Sequence, residues 1–247
     1  MSKPFAAKVV RDDFRSLQLI NPLFQYASVA DTGALDLQGA QDDFTIEMWI
    51  KRRTPLLVPP TQPLIGKWVA AGSQLSYLIR LFNNAGTPRL EALISENGST
   101  ADHVVLNQTF ESGTWHHVAV SCDISEAAGT QFVFYVDGVS KGSGSIITNT
   151  GIANLKVSTA PFVIGGEGTG PVNNFDGFID DVRVWNTVRN LADIQNNMFA
   201  ELVGDEAGLV GYWKLNGDAL DSTANANHLT LAGTVLPAFS RDGGSNA

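Results

Sequence analysis

Residues 44–51 alternate strictly between two sets of side chains, and this pattern restricts the local fold more than any other feature of the chain. The run reads FTIEMWIK and places four apolar residues on one side, Phe44, Ile46, Met48 and Ile50. Because successive side chains of a strand point to opposite faces, the pattern predicts a half-buried β-strand. Similar short apolar runs predict further strands at residues 75–82, 89–94 and 115–122.

Turn residues separate these runs throughout the chain. The clearest turn is Asp137-Gly138, which follows FVFYV and precedes a second run that begins at Val139. Asp-Gly tolerates the positive φ angles of a type I′ turn, whose twist matches the two strands that it joins. With 24 glycines and 10 prolines in 247 residues, the chain favours many strands joined by tight turns. At 44% hydrophobic content this length is typical of one large β-domain.

One stretch has helical periodicity. Asn190 is suited to an N-cap, and Asp193 lies three positions further on, where its charge complements the helix dipole. Leu191, Ile194 and Met198 then form one apolar stripe. The sequence therefore predicts a single short helix near the C-terminus that lies against the edge of a sandwich.

Charge and composition exclude several classes of partner. A net charge of -9 disfavours nucleic acid and anionic membranes, and the only dense basic cluster is the triplet at residues 51–53. The single cysteine, Cys122, excludes an internal disulfide and is interpreted as a small apolar strand residue. No apolar window approaches the ~18 residues of a membrane span, and the first residues lack the apolar run of a signal peptide.

Several segments, in this order, resemble the laminin-G-like domains of the concanavalin A-like lectin and glucanase superfamily. The segments are YASVADTGALDL with DDFTIEMWIK, TWHHVAVSCD, FYVDGVSKG, FVIGGEG, FDGFIDDVRVWNTVRNLADIQNNM and GLVGYWKLNG. The resemblance implies an all-β fold, a two-sheet antiparallel β-sandwich of jelly-roll type with one short helix. We assign residues 23–239 to this domain, residues 1–22 to an N-terminal arm and residues 240–247 to a polar tail.

Catalysis has no support in the sequence. Laminarinase-type enzymes of the superfamily place two acids on one strand as Glu-x-Asp-x-x-Glu, and this spacing is absent. Asp180 and Asp181 are adjacent, so their side chains diverge. His116 and His117 diverge for the same reason, which disfavours a shared metal ion. We therefore expect no catalytic residues, with a divergent glycoside hydrolase as the least favoured alternative.

The resemblance also implies a calcium ion at the rim of the sandwich, and the positions that match are Asp31 and Asp180. Simple alternation places Asp180 on the same face as Val182, which predicts that its carboxylate points inward and needs a partner. That partner is either a cation or a set of backbone N–H donors. Arg183 has the opposite parity and is predicted to pair with Asp181.

A sugar site requires aromatic platforms and planar polar groups on loops. The candidates are Trp68, before a small-residue loop, and Asn173 with Asn174 in a stretch bounded by glycine and proline. The alternative is that Trp68 packs beneath its loop and that the two asparagines form turns.

These observations leave three functions open. The first is a non-catalytic recognition or adhesion module that binds a glycan or surface polysaccharide, with calcium as a candidate cofactor. The second is a structural subunit of a viral particle, a capsid-decorating or tail-associated protein. Its arm would dock on a protein partner or a second copy through Phe14, Leu17, Leu19 and Ile20. The third is the divergent hydrolase. Either of the first two places the protein outside the cell or on a virion surface.

Overall fold

The structure, a computed structural model, describes residues 15–37, 42–53, 60–84, 86–127, 129–170, 173–234 and 236–241. These residues form two antiparallel sheets that face each other across one apolar core. Sheet A has the order β10-β9-β8-β3-β13-β1-β16, and β14 pairs with the other half of β13. Its strands are β1 (Arg15–Leu19), β3 (Phe44–Arg52), β8 (Trp115–Cys122), β9 (Phe132–Val136), β10 (Val139–Gly142), β13 (Gly177–Trp185), β14 (Leu209–Trp213) and β16 (Ala238–Arg241).

Sheet B has the order β11-β7-β6-β5-β4-β12-β2-β15. Its strands are β2 (Tyr26–Val29), β4 (Thr61–Val69), β5 (Gln74–Asn84), β6 (Thr87–Ile94), β7 (Asp102–Leu106), β11 (Ser145–Thr148), β12 (Phe162–Ile164) and β15 (Thr230–Ala232). A 3₁₀ turn, Gly33–Asp36, follows β2. This architecture confirms the predicted all-β sandwich.

The central strand β3 shows how the alternation builds the core. Its four predicted inward residues, Phe44, Ile46, Met48 and Ile50, are all part of the core between the sheets. The other face of β3 is buried as well, because α1 (Leu191–Asn197) and the residues that follow it cover this part of sheet A. The strand is therefore buried on both faces, where the alternation alone indicates a half-buried strand.

The helix forms as predicted and closes the outer face of sheet A. The Asn190 side chain accepts a hydrogen bond from the backbone N–H of Asp193 at 3.1 Å, and Asp193 accepts one from the backbone N–H of Asn190. Ile194 is fully buried against Ala119 and Tyr135. In the described part of the chain, no helix has both the length and the apolar character that a membrane crossing requires.

The predicted hairpin joins β9 to β10. Asp137 and Gly138 have φ angles of 52° and 70°, as a type I′ turn requires. A Cβ atom at Gly138 would lie 3.0 Å from the sulfur of Met198, so the close approach of the helix end also favours glycine here. Cys122, at the end of β8, is buried in the core as predicted, and burial raises the pKa of its thiol.

Residues 15–19 belong to the sandwich and not to a separate arm. They form β1, which pairs with β13 on one side and with β16 on the other. Leu17 and Leu19 are fully buried in the core of their own chain. The boundary at residue 22 and the proposed docking role of these leucines are therefore wrong. β16 likewise reaches Arg241, two residues beyond the predicted domain end at residue 239, while Phe14 lies outside the described residues.

Strand β13 contains a β-bulge that changes the orientation of its side chains. Between Asp180 and Arg183 the strand advances three residues while its partner β3 advances two. Asp181, within the bulge, has a φ angle of 54°. As a result Ile179 and Val182 both belong to the core, and Asp180 lies on the outer face of sheet A. The prediction that Asp180 shares the inner face with Val182 is therefore wrong.

Candidate functional site

A groove with a volume of about 290 Å³ lies on the outer face of sheet B. It crosses strands β5, β6, β7 and β11, at the end of the sheet that β11 closes. Its described lining consists of Phe82, Arg89, Glu91, His103, Val105, Asn107, Ser145 and Ile147.

The strand register places these side chains together. Leu81 is fully buried in the core, so its neighbours Arg80 and Phe82 point away from it on the outer face. In the register of β5 with β6, Arg80 lies opposite Glu91, and Phe82 lies opposite Arg89. Paired residues of antiparallel strands share a face, so a charged pair and an aromatic-guanidinium pair stand side by side.

The floor of the groove is a buried carboxylate held by two nitrogen groups. Glu91 has a fully buried side chain. One of its oxygens lies 2.7 Å from Nε of Arg80, and the other lies 2.9 Å from Nε2 of His103. Arg80 donates a hydrogen bond to Oε2 of Glu91, whereas Oε1 lies close to Nε2 of His103 without forming a hydrogen bond. A buried carboxylate is tolerated when it is paired with a cation, as Glu91 is with Arg80.

Arg89 differs from Arg80 although both line the same face. Its Nε is buried and has no hydrogen-bond partner within the described part of the chain. No acidic group of that part forms an ion pair with it, whereas Arg80 is paired with Glu91. The groove thus contains one guanidinium that forms no ion pair with the described residues.

The remaining lining combines apolar surface with neutral polar groups. Phe82, Val105 and Ile147 supply apolar side chains, and the exposed fraction of Ile147 is 58%. Asn107 and Ser145 are exposed and supply an amide and a hydroxyl. Ligand sites commonly combine apolar walls with a few polar groups that fix orientation.

The groove lacks the chemistry for glycoside hydrolysis among its described residues. Hydrolysis requires two carboxylates on either side of the scissile bond. Glu91 is the single carboxylate of the described lining, and Arg80 and His103 already engage it. The described lining therefore offers no second carboxylate for this reaction.

The structure places Asp31 against an internal cation. The ammonium of Lys67 lies 2.5 Å from Oδ1 of Asp31 and also contacts Oδ1 of Asp36. The Lys67 side chain is fully buried. The two carboxylates therefore already share one positive charge that belongs to the protein itself.

The structure places Asp180 on the other sheet. It lies opposite Trp49 in the β3–β13 register, on the outer face of sheet A. The predicted pairing of Arg183 with Asp181 is confirmed, with Nη2 of Arg183 2.7 Å from Oδ2 of Asp181.

These positions do not fit the calcium site that the resemblance implies. Asp31 contacts a strand of sheet B and Asp180 lies on sheet A, so the structure does not bring the two carboxylates to one ion. Among the described residues, no group of three or more His, Cys, Asp or Glu side chains is arranged to hold a metal ion. Lys67 occupies the place beside Asp31 that a cation would take.

The three predicted sugar-contacting residues do not form one site. Trp68 is only 7% exposed and packs on Leu75, Leu78 and Leu93 on the outer face of sheet B, so its ring is a packing group and not a platform. This confirms the alternative interpretation of Trp68.

The two asparagines have local structural contacts. Asn173 has a φ angle of 51° and donates its side-chain amide to Oε2 of Glu167. Asn174 is 1% exposed and donates to the backbone carbonyl of Gln25. The turn interpretation fits Asn173, whereas Asn174 lies outside any turn and is held by its contact with Gln25. Neither residue lines the groove.

The histidine pair has a structural role, as predicted. Nδ1 of His116 lies 2.9 Å from Oδ2 of Asp137, and its ring packs edge-on against Phe110. His117 contacts Glu47 on the outer face of sheet A. The two rings therefore have separate partners and share no site.

The groove was missed in the sequence although two of its strands were identified. Arg80, Phe82, Arg89 and Glu91 occupy alternate positions of those strands, which is the available signal. That signal does not reveal which face is left uncovered, and the contribution of β7 and β11 depends on pairings that no local pattern predicts.

Together, two stacked antiparallel sheets with a groove over one outer face define a lectin-like β-sandwich. The chain belongs to the concanavalin A-like lectin/glucanase superfamily, whose laminin-G-type family model matches residues 24–195. This confirms the resemblance on which the fold expectation rested.

Solved structures agree with this assignment at the level of the fold. A Bacteroides ovatus protein provisionally described as carbohydrate-binding has a TM-score of 0.61 at 20% identity over 91% of this chain, and the chain spans 61% of its length. A heptameric pentraxin of Limulus polyphemus has a TM-score of 0.59 at 17% identity, with 94% and 98% of the two chains covered. The Ruminococcus gnavus IT-sialidase CBM40, bound to α2,3-sialyllactose, has a TM-score of 0.50 at 14% identity, with 72% and 92% covered. No curated protein matches the chain.

Proposed function

We propose that this domain binds a carbohydrate without cleaving it, and that the groove on the outer face of sheet B is its binding site. The observation that carries the proposal is the juxtaposition of Phe82 with Arg89 beside Glu91, which is paired with Arg80. An aromatic ring offers a face to the C–H side of a sugar, and the guanidinium and amide groups offer hydrogen bonds to its oxygens. The fold of carbohydrate-binding proteins such as the Bacteroides ovatus relative supports the same function.

The domain is proposed to be non-catalytic because the described lining of the groove offers one carboxylate, and that carboxylate is engaged in two contacts. We also propose that sugar binding does not require calcium, because Lys67 neutralises the carboxylate to which the resemblance assigns the ion. A glycan or surface polysaccharide therefore remains the proposed ligand class.

A glycan array followed by titration calorimetry tests the proposal. We expect the wild-type protein to bind at least one glycan class, and we expect Phe82→Ala to weaken that binding at least tenfold. The matched control is Phe199→Ala, which removes an aromatic ring that is 47% exposed on the opposite sheet, where it packs on Trp49. This control is expected to bind as the wild type does.

Two results would overturn the proposal. One is wild-type affinity in Phe82→Ala combined with loss of binding in Phe199→Ala, which would move the site to sheet A. The other is release of reducing sugar from the bound glycan, with loss of that activity on replacement of one Asp or Glu.

A further inference from the structure

We propose that the groove selects glycans that carry a carboxylate, such as a terminal hexuronic acid, and that Arg89 receives this group. The inference rests on the proposed function, because it names the ligand class of the same groove. It begins from the charges of the groove and not from its shape.

The guanidinium groups of Arg80 and Arg89 lie on one face of the sheet in contrasting states. Arg80 donates to the fully buried Glu91 at 2.7 Å. Arg89 has a buried Nε without a hydrogen-bond partner among the described residues. Burying part of a guanidinium without a partner is unfavourable, and the charge of Arg89 gains an ion-pair partner when the carboxylate of an acidic ligand binds beside it.

The geometry of the group favours a carboxylate. A guanidinium presents its N–H donors in a planar fork that matches the two oxygens of a carboxylate. The chain as a whole has a net charge of -9, so a cation that forms no ion pair with the described residues is a local exception to a repulsive field. Arg89 therefore provides a specific point of attraction for an acidic ligand.

The surroundings of Arg89 favour a sugar acid over a simple polyanion. Phe82 lies opposite Arg89 in the strand register, so the apolar face of a ring can pack beside the carboxylate that the ring carries. Arg89 is the one guanidinium of the described lining, so a densely charged chain finds a single point of ion pairing in the groove. A volume of about 290 Å³ suits one or two sugar rings, since it lies at the lower end of small-molecule sites.

The test compares each acidic glycan with its neutral twin. Titration calorimetry at fixed ionic strength uses tetragalacturonic acid against its fully methyl-esterified form, and α2,3-sialyllactose against lactose. We expect the wild-type protein to bind the acid of at least one pair roughly tenfold to a hundredfold more tightly than its neutral twin, as charged hydrogen bonds imply.

Three variants test whether Arg89 causes the preference for the acidic glycan. Arg89→Gln is expected to bind acid and neutral twin with equal, weak affinity. Arg89→Lys keeps the charge but loses the planar fork, so we expect an intermediate preference. Arg15→Gln removes the same charge from an exposed position on sheet A, and its acid preference is expected to equal that of the wild type.

The outcomes separate this inference from the proposed function. Equal binding of acid and neutral twin by the wild-type protein, with both weakened by Phe82→Ala, would overturn the acid preference and leave the sugar site intact. An acid preference that survives in Arg89→Gln would also overturn it. Absence of binding to every glycan on the array would overturn both proposals.

Discussion

The outer faces of the two sheets contain the same arrangement of side chains in different settings. On sheet A, Glu47 contacts His117 at 3.4 Å and Arg183 at 3.8 Å. On sheet B, Glu91 contacts His103 at 2.9 Å and Arg80 at 2.7 Å. Both carboxylates are fully buried. A glutamate held by a histidine and an arginine is thus present on each face.

The two arrangements differ in whether other parts of the protein cover them. On sheet A, the backbone carbonyls of Asn197 and Ala200 accept hydrogen bonds from Arg183, and the indole of Trp185 donates to Glu47. The side chains of Arg183 and His117 are accordingly 1% and 2% exposed.

On sheet B, the side chains of Arg80 and His103 are 17% and 18% exposed, and the arrangement borders the groove. The same three side-chain types are fully covered on sheet A, whereas on sheet B the arginine and the histidine are partly exposed. The elements that cover a cluster therefore decide its exposure.

The largest expected effect is on the sealed face. Replacing Glu47 by Gln leaves Arg183 buried without its full compensation, and removing one partner of a buried ion pair costs about 3–5 kcal/mol. The free energy of unfolding, measured by urea titration, is expected to fall by that amount. A loss below that of Glu91→Gln would contradict the difference between the faces.

The pH dependence of unfolding tests the contribution of the Glu47 carboxylate in a second way. Burial raises the pKa of Glu47, but the hydrogen bond with His117 and the charges of Arg183 and Arg189 outweigh it, so the pKa lies below its ordinary value. A carboxylate with a lowered folded-state pKa stabilises the protein above its unfolded pKa of about 4.3. This stabilisation is lost as the pH falls through the folded-state pKa.

Urea titrations from pH 7 to pH 3 measure this loss. We expect the free energy of unfolding of Glu47→Gln to depend less on pH below about 4.3 than that of the wild type, since Gln does not titrate. Parallel curves for the two proteins over this range would show that Glu47 does not contribute.

On the open face, Glu91→Gln is expected to cost less, about 1.5–3 kcal/mol, the range for losing a hydrogen bond to a charged group. The reason is that Arg80 and His103 are partly exposed and can turn to water after the change. The same urea titration measures this effect. A loss equal to that of Glu47→Gln would show that the floor of the groove is as sealed as sheet A.

A smaller effect on stability is expected from a change in α1, the helix that covers sheet A. Asn190→Ala removes the N-cap of α1, and loss of such a cap costs about 0.5–2 kcal/mol. Amide hydrogen exchange is expected to accelerate in α1 while the strands of sheet B keep their protection. Equal acceleration in both regions would mean that the helix is not a local cover.

The sequence predicted the parts of this fold that depend on local patterns. The alternation of residues 44–51, the Asp137-Gly138 turn and the cap at Asn190 all have local causes, and the structure confirms them. The orientation of Asp180 could not be predicted, because the bulge has an aspartate rather than a glycine at its positive φ angle.

Other features depend on residues far apart in the chain. The strand β1 pairs with strands more than 150 residues away. In the sequence alone, its apolar residues are therefore assigned to a separate N-terminal arm. The contact of Lys67 with Asp31 and Asp36 joins residues more than 30 positions apart. The groove requires both the register of four strands and knowledge of which sheet is covered, and no local pattern contains either.

The smallest expected effect concerns the rim near the 3₁₀ turn, where a third buried charge is compensated within the protein. Lys67 lies between Asp31 and Asp36, so the wild-type protein is expected to show the same midpoint of thermal unfolding in 1 mM calcium and in 1 mM EDTA. The matched variant is Lys67→Ala, which leaves two carboxylates near each other without their cation. We expect this variant to be less stable and to recover part of the loss in calcium, because hard oxygen ligands bind that ion. A chelator that destabilises the wild-type protein would show that a metal, and not the lysine, balances this rim.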